Sequence, residues 1–245
     1  MSIDQPQPTP DAVVPAEPAS GVTTYFGVLF SPNEAFETLA RVPMWGWACI
    51  FGMLITIVAS IVGLPATIHI AQVAQQAQIA QSPADQQQAM RDAIGKTAGL
   101  LQYFIIIGSL VVPWIAWIIA ALVVLAGAAL GRGVAIFGAA WALAVNSYAI
   151  SALGALVANV ILRLQGAENI TRASDAYVLP SLAMLVHGDA KTGAMLYAFN
   201  VVNLWYYAIL ALGMQRMMKM SAMASWVTVI IFSVLLALLG MAFAK

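Results

Sequence analysis

Five long stretches without a charged side chain constrain this sequence more than any other feature. A helix of about 20 apolar residues crosses the ~30 Å hydrocarbon core of a bilayer. Lys, Arg, Asp and Glu make up 8% of the 245 residues, against roughly 25% in soluble domains, too few to cover a water-soluble fold. The sequence therefore predicts an all-α fold: a polytopic membrane helix bundle with about five transmembrane helices plus short interfacial helices. The predicted spans are residues 45–64, 99–130, 134–162, 193–214 and 224–244.

The first 24 residues have a different composition from the rest of the chain. Five prolines lie between Pro6 and Pro18, and residues 1–40 contain no Lys or Arg. A secretory signal peptide begins with basic residues and continues into an apolar run, so this segment is not predicted to be one. Its composition predicts a disordered Pro-rich tail over residues 1–24, followed by one five-span membrane domain over residues 25–245.

A helix start precedes the first span. Ser31 can act as the N-cap, Pro32 suits the first helical position, and Glu34 completes the Ser-x-x-Glu capping box. The helix that follows is amphipathic and ends before Pro43. A short amphipathic helix next to a span is typical of an element lying in the membrane interface. It is interpreted as an interfacial anchor, with a surface for a partner protein as the alternative.

The segment after the first span predicts a helical hairpin outside the bilayer. Pro65 is expected to break or kink the span. Residues 68–81 remain helical in pattern but carry five glutamines, too many for the hydrocarbon core. Ser82-Pro83-Ala84-Asp85 repeats the helix-start chemistry, so a second helix should lead back to span two.

The predicted spans contain no residue set typical of catalysis or ion coupling. Proton- and ion-coupled transporters usually hold charged side chains within the membrane, and none occurs in the five cores. Cys49, His69 and His187 stand apart from other metal-binding side chains. No catalytic, cofactor or metal site is predicted, and the net charge of zero gives no support for nucleic-acid binding.

Amide and hydroxyl groups are the polar side chains that the predicted spans do contain. An unpaired amide in hydrocarbon costs several kcal/mol, so these groups should turn inward and bond across helices. The candidate intramembrane polar cluster comprises Asn146, Ser147, Tyr148, Asn200 and Asn203. Two interpretations stay open: hydrogen bonds that hold the helices together, or a polar cavity that binds a solute.

Two glycines at the end of span two form a Gly-x-x-x-Gly pattern. Gly127 and Gly131 lie on one helix face, and this spacing lets two helix backbones approach closely. They are candidate helix-packing positions.

An odd number of spans places the two chain ends on opposite sides of the membrane. We expect the inner (plasma) membrane, with a cytoplasmic N-terminus and the C-terminus on the opposite side. The cytoplasmic side would then carry four of the ten basic residues and the opposite side six, but those six lie mostly in long loops, where basic residues weigh less in orientation. The four on the cytoplasmic side are Arg41, Arg132, Arg216 and Lys219.

The stretch Phe30-Ser31-Pro32-Asn33-Glu34-Ala35-Phe36 before span one resembles the bacterial branch of the Yip domain family, named for interaction with Ypt/Rab GTPases. Span four also resembles this family. It carries Asn203-Leu204-Trp205, followed by Leu212-Gly213 and a short basic turn. The resemblance covers about residues 25–245 and implies the five-span fold. Eukaryotic members bind small GTPases and carry a Tyr-Gly-Pro-Phe-Trp type motif where this chain has Phe30-Ser-Pro-Asn-Glu34, so GTPase binding is not carried over to it.

These observations favour a non-enzymatic membrane protein that acts as a scaffold or binds partners. The expected partners are membrane lipids, other membrane proteins or a second copy of the chain. The alternative is a transporter or channel for a neutral solute or lipid that uses the polar cluster.

Overall fold

The computed structural model describes residues 20–185 and 189–243. Within these ranges the chain forms α-helices joined by short connections, and three 3₁₀ turns between α6 and α7. The helices are α1 (Gly21–Phe30), α2 (Pro32–Arg41), α3 (Gly46–Gln81), α4 (Ala84–Thr97), α5 (Leu101–Leu130), α6 (Phe137–Gln165), α7 (Ala190–Tyr197), α8 (Val201–Met217) and α9 (Ala222–Phe243). The predicted all-α bundle is confirmed. Residues 1–19 of the predicted tail lie outside the described residues.

Among the described residues, four helices are long and apolar enough to cross a membrane: α3, α5, α6 and α9. Their outward faces expose large aliphatic side chains, which is expected where lipid replaces water as the solvent. Examples on α5 and α9 are Ile107, Ile118, Ile230 and Leu235.

The segment predicted as one span over residues 193–214 is two helices. α7 ends at Tyr197, and α8 begins at Val201. At the break, the backbone N–H of Val201 donates to the carbonyl of Pro180 at 2.9 Å, and Ser181 pairs with Asn200 in an isolated antiparallel bridge. The connection after α6 therefore supplies hydrogen bonds that a continuous helix would have made internally.

Helix α3 continues through Pro65 instead of ending there. Membrane helices tolerate an internal proline when neighbouring groups satisfy the backbone. Its 36 residues correspond to about 54 Å at 1.5 Å per residue, far more than the hydrocarbon core. The C-terminal part of α3 thus extends beyond the span, and α4 folds back after Ser82, as the sequence predicts.

Helices α1 and α2 form a tight pair at the end of the bundle where α3 begins. α1 starts at Gly21, four residues before the predicted domain boundary, and buries Tyr25 and Val28 completely. The apolar face of α2, with Phe36 and Leu39 fully buried, packs on α6 and α8. The anchoring contact of this amphipathic helix is therefore with protein and not with lipid.

The predicted capping box at the start of α2 is not formed. Ser31 is the N-cap residue, but its side chain makes no capping hydrogen bond. A capping box needs the N-cap backbone N–H as the donor to Glu34. That N–H instead closes α1 by donating to the carbonyl of Gly27 at 2.7 Å.

Helix α6 is the centre of the bundle. It packs against α1, α2, α3, α5 and α8, and residues 142–147 are all buried. Small residues allow the close contacts. A Cβ atom at Gly63 on α3 would clash with Asn159 of α6, and one at Gly154 of α6 would clash with Val202 of α8.

The two predicted packing glycines lie where α5 meets α9 and the α8–α9 turn. A Cβ atom at Gly127 would overlap the side chain of Thr228, and one at Gly131 would lie 2.8 Å from Met220 Cε and 3.1 Å from Ala224 Cβ. Near its other end α9 packs on α7, where an added Cβ at Gly240 would lie 3.7 Å from the carbonyl of Ala194. α9 therefore ends opposite the α1–α2 pair.

Substituting Gly127 with alanine tests this contact with a single methyl group. We expect Gly127→Ala to destabilise the bundle by about 1–3 kcal/mol, because overpacking must displace Thr228 or the helix. The matched control is Gly108→Ala on the same helix, where an added Cβ meets nothing within 4 Å. Thermal unfolding in detergent compares the two; equal midpoints for both variants would contradict the close α5–α9 contact.

Candidate functional site

Asn146 connects α6 to the start of α3. It is 1% exposed, and its side-chain Nδ2 donates to the carbonyls of Met44 and Ala142, both at 2.8 Å. Met44 lies in the connection between α2 and α3. The amide thus satisfies a carbonyl that precedes the helix, at a place where water is excluded.

Asn200 and Asn203 stabilise the break between α7 and α8. Asn200 is the N-cap of α8: its Oδ1 accepts from the backbone N–H of Asn203 at 2.9 Å, and its Nδ2 donates to the carbonyl of Tyr197 at 3.0 Å. Asn203 Nδ2 donates to the carbonyl of Ala198 at 3.0 Å. These bonds replace the helical hydrogen bonds that the break removes.

The predicted polar cluster is therefore divided between two places. Asn146, Ser147 and Tyr148 lie on α6, whereas Asn200 and Asn203 lie at the helix break. Among the described residues, no hydrogen bond joins the two groups. The three-residue spacing of Asn200 and Asn203 could not reveal this division. Asn200 is the N-cap residue that precedes α8, so it is not part of the helix and does not lie on one of its faces.

A cluster of aromatic and hydroxyl side chains surrounds Tyr148 in the core. The Tyr148 hydroxyl lies 3.4 Å from Thr56 Oγ1, and its ring packs edge-on against Trp117 with centroids 5.5 Å apart. Gly52 of α3 lies beside both rings: an added Cβ there would be 3.5 Å from the Trp117 ring and 3.6 Å from the Tyr148 ring. Tyr25 of α1 lies alongside, stacked on Phe51 with centroids 5.6 Å apart.

Three buried polar atoms in this region make no hydrogen bond within the part of the chain that the structure describes. They are Tyr25 Oη, Trp117 Nε1 and Ser147 Oγ. A buried donor without a partner costs roughly 1–3 kcal/mol. These atoms are therefore the core positions most suited to hydrogen-bond with a bound polar molecule. Sequence reasoning missed Tyr25 and Trp117. The apolar run Gly21–Phe30 was the available signal that ordered, buried structure begins before span one.

The α3–α4 hairpin carries a groove outside the bundle core. This hairpin groove has a volume of about 500 Å³. Its lining combines amide side chains with apolar ones: Gln72, Gln75, Gln76, Ile79, Ile94, Thr97, Leu101 and Phe104. α4 has no buried residue, so one wall of the groove is a helix that the bundle leaves accessible.

His69 and Cys49, two side chains of types often used in chemistry, are placed within the packing of the bundle. His69 Nε2 lies 3.0 Å from the carbonyl of Ile170, and Cys49 is buried as a free thiol. Within residues 20–185 and 189–243, no three His, Cys, Asp or Glu side chains are grouped as a metal site would need. His187 lies outside the described residues.

Asp175 and Asp189 shape the connections outside the spans. Slight burial opposes ionisation of Asp175, but hydrogen bonds from the backbone N–H groups of Arg172 and Thr171 and from the Thr171 hydroxyl lower its pKa overall. The backbone N–H of Thr192 likewise lowers the pKa of Asp189, the N-cap of α7. Both carboxylates stay ionised near neutral pH and hold turns, which is unlike a general acid poised to donate a proton.

The family model for the Yip1 domain matches residues 26–244, which is nearly the whole described bundle. The chain belongs to the Yip1 family. A bacterial relative, "Membrane protein YknW" from Bacillus subtilis (strain 168), is 26% identical over 207 residues, covering 84% of this chain and 83% of the relative. No solved structure matches the chain.

Membership of the Yip1 family agrees with the resemblance seen in the sequence. The matched region begins at Phe26 within α1, so the α1–α2 pair is part of the family domain and not a separate leader. The relative's description as a membrane protein agrees with four long apolar helices. This Yip1-family chain is thus an integral membrane protein.

Proposed function

We propose that this chain is a non-enzymatic scaffold that binds a partner protein through the hairpin groove. The hairpin groove is the observation that carries the proposal. α3 extends well past the hydrocarbon core, and α4 folds back along it without burying any residue of its own. A structure that served only to cross the membrane would not need this extension.

The composition of the groove indicates a polypeptide partner. Three glutamine amides can donate and accept hydrogen bonds along its wall, and Ile79, Ile94 and Phe104 supply apolar contact. On α4 the two acidic residues Asp85 and Asp92 balance the two basic residues Arg91 and Lys96. The hairpin therefore has no net charge that would select a highly charged ligand. A partner segment with mixed apolar and amide side chains suits such a surface.

The packing of the core supports a scaffold in preference to a solute path. Asn146, Asn200 and Asn203 direct their amide groups to backbone atoms of their own or adjacent segments. The bond from Asn146 to Met44 joins two distant segments, and such interhelical bonds contribute about 0.6 kcal/mol each, whereas the bonds of Asn200 and Asn203 cap the break before α8.

A transporter or channel for a neutral solute or lipid is the second candidate function. The unpartnered atoms Tyr25 Oη, Trp117 Nε1 and Ser147 Oγ favour it, because a small polar solute could satisfy them in turn. This function would require α1 to move away from the core, since Tyr25 is completely buried.

Site-specific photocrosslinking in intact membranes tests the scaffold proposal. A photoreactive residue in place of Gln72 or Gln76, both in the hairpin groove, should capture the same protein. The same photoreactive residue in place of Ile118, an exposed position on the apolar α5, should capture lipid.

A pair of variants on α4 tests the groove itself. Ile94→Glu should abolish the protein crosslink, because it places a charge among apolar contacts in the groove. The control Ala93→Glu, at an exposed neighbouring position, should leave the crosslink unchanged.

Equal protein capture from the groove and from position 118 would contradict the scaffold proposal. So would an unchanged crosslink in a folded Ile94→Glu protein.

We also propose that the α1–α2 end of the bundle faces the cytoplasm of the inner membrane. Among the described residues, that end has four basic side chains and two acidic ones, Glu34 and Glu37. The opposite end has five basic and five acidic side chains. The α5–α6 and α8–α9 loops at the α1–α2 end are short, and basic residues in short loops favour the cytoplasmic side.

Cysteine labelling tests this orientation. Cys49 is the single cysteine, so Cys49→Ala provides a background for Glu34→Cys on α2 and Gln88→Cys on α4, both exposed positions. In right-side-out vesicles, an impermeant maleimide should label Gln88→Cys at once, and Glu34→Cys after permeabilisation. The reverse pattern would contradict the proposed orientation.

A further inference from the structure

We propose that a cationic cleft between α2 and the α8–α9 turn binds the phosphate of an anionic phospholipid headgroup. The cleft has a volume of about 340 Å³. It is lined by Glu37, Ala40, Arg41, Arg216, Met217 and Lys219. Three cations and one carboxylate give the lining a net charge of +2. This site is independent of the hairpin groove and lies at the other end of the bundle.

Arg216 is held in position by α2. Its guanidinium lies 3.5 Å from a carboxylate oxygen of Glu37, and its Nε donates to Asn33 Oδ1 at 3.2 Å. A guanidinium has five N–H donors, so these two contacts leave donors for an anion. The side chain is 45% exposed, which keeps those donors within reach of a headgroup.

Lys219 is presented by a turn that the core fixes on both sides. Met218 and Met220 are buried, and the carbonyl of Met218 accepts from the backbone N–H of Val134 at 2.7 Å. Lys219 itself has a φ of 54°, a left-handed conformation that non-glycine residues adopt at an energetic cost. The strained backbone therefore holds an exposed lysine at the mouth of the cleft.

Arg41 and Lys219 have no carboxylate partner among the described residues. Within the described ranges of the chain, the ion pair of Arg216 with Glu37 is the one salt bridge, and neither Arg41 nor Lys219 takes part in one. Arg41 is the last residue of α2, where a cation is also favoured by the helix dipole.

The position of the cleft favours a lipid over a soluble phosphate. It lies where α8 ends and α9 begins, and tryptophans occupy the first two turns of helices that start at this end: Trp47 on α3 and Trp226 on α9. Tryptophan in such positions marks the headgroup level of a membrane. Exposed apolar side chains flank the cations in sequence, with Val42 after Arg41 and Met223 near Lys219. Basic groups at this level attract anionic lipids.

Lipid titration of the purified full-length protein in a neutral detergent tests the inference. Dioleoyl phosphatidylglycerol should bind and raise the unfolding temperature, whereas dioleoyl phosphatidylcholine and inorganic phosphate should do so far less. The double variant Arg41→Gln/Lys219→Gln should weaken phosphatidylglycerol binding by roughly 25-fold, about fivefold for each cation near the headgroup. The matched control Arg91→Gln/Lys96→Gln removes the same charge from α4 and should keep the affinity.

A further variant separates ligand binding from a structural role. Glu37→Gln removes the carboxylate from the cleft and frees Arg216, so it should strengthen phosphatidylglycerol binding; a merely structural role for the pair would weaken it. The conservative variant Arg41→Lys/Lys219→Arg keeps both positive charges and should retain phosphatidylglycerol binding. Retained binding would show that the protein tolerates substitution at these two positions.

Equal loss of affinity in the α4 control would show general charge attraction and overturn the site. Equal stabilisation by inorganic phosphate would show a free-phosphate site and overturn the lipid assignment.

Discussion

Close packing around α6 is the constraint on which the rest of the structure depends. Lipid tails are as apolar as the side chains, so burial from water does not drive membrane helices together. The bundle relies instead on small residues that bring backbones close, such as Gly63, Gly154 and Gly213. At each of these glycines, a side chain from a neighbouring helix occupies the space that a Cβ atom would need. Because α6 contacts helices on several sides, loosening any of these contacts affects the whole core, including the buried α1–α2 pair.

The sequence predicted those features that depend on hydropathy. Apolar runs at membrane-spanning length indicated the long helices, and the glutamine-rich segment indicated the hairpin beyond the bilayer. Features that depend on tertiary hydrogen bonds could not be predicted in the same way. The break before α8 exists because Pro180 and Asn200 satisfy its backbone, and the capping box at Ser31 fails because Gly27 already accepts the required N–H.

The same limit explains the outcome for the candidate site. Hydropathy identified amide side chains within the apolar segments, and an amide there must find a partner, but the pattern could not say which partner. Asn146 bonds to a carbonyl 102 positions away in the chain, whereas Asn200 bonds to its own helix break. Tyr25 lies in the core because α1 folds against the bundle. The apolar run Gly21–Phe30 signals burial, but it does not specify which helices α1 packs on.

A closely packed core around α6 with an exposed hairpin is the central claim of this account, and hydrogen–deuterium exchange of the protein in lipid nanodiscs tests it most directly. The account predicts that residues 140–154 of α6 exchange slowest, because they are packed and hydrogen-bonded away from water. It predicts fast exchange in α4, which has no buried residue. Rapid exchange around Asn146, at a rate like that of α4, would mean that water reaches the core and would contradict the scaffold.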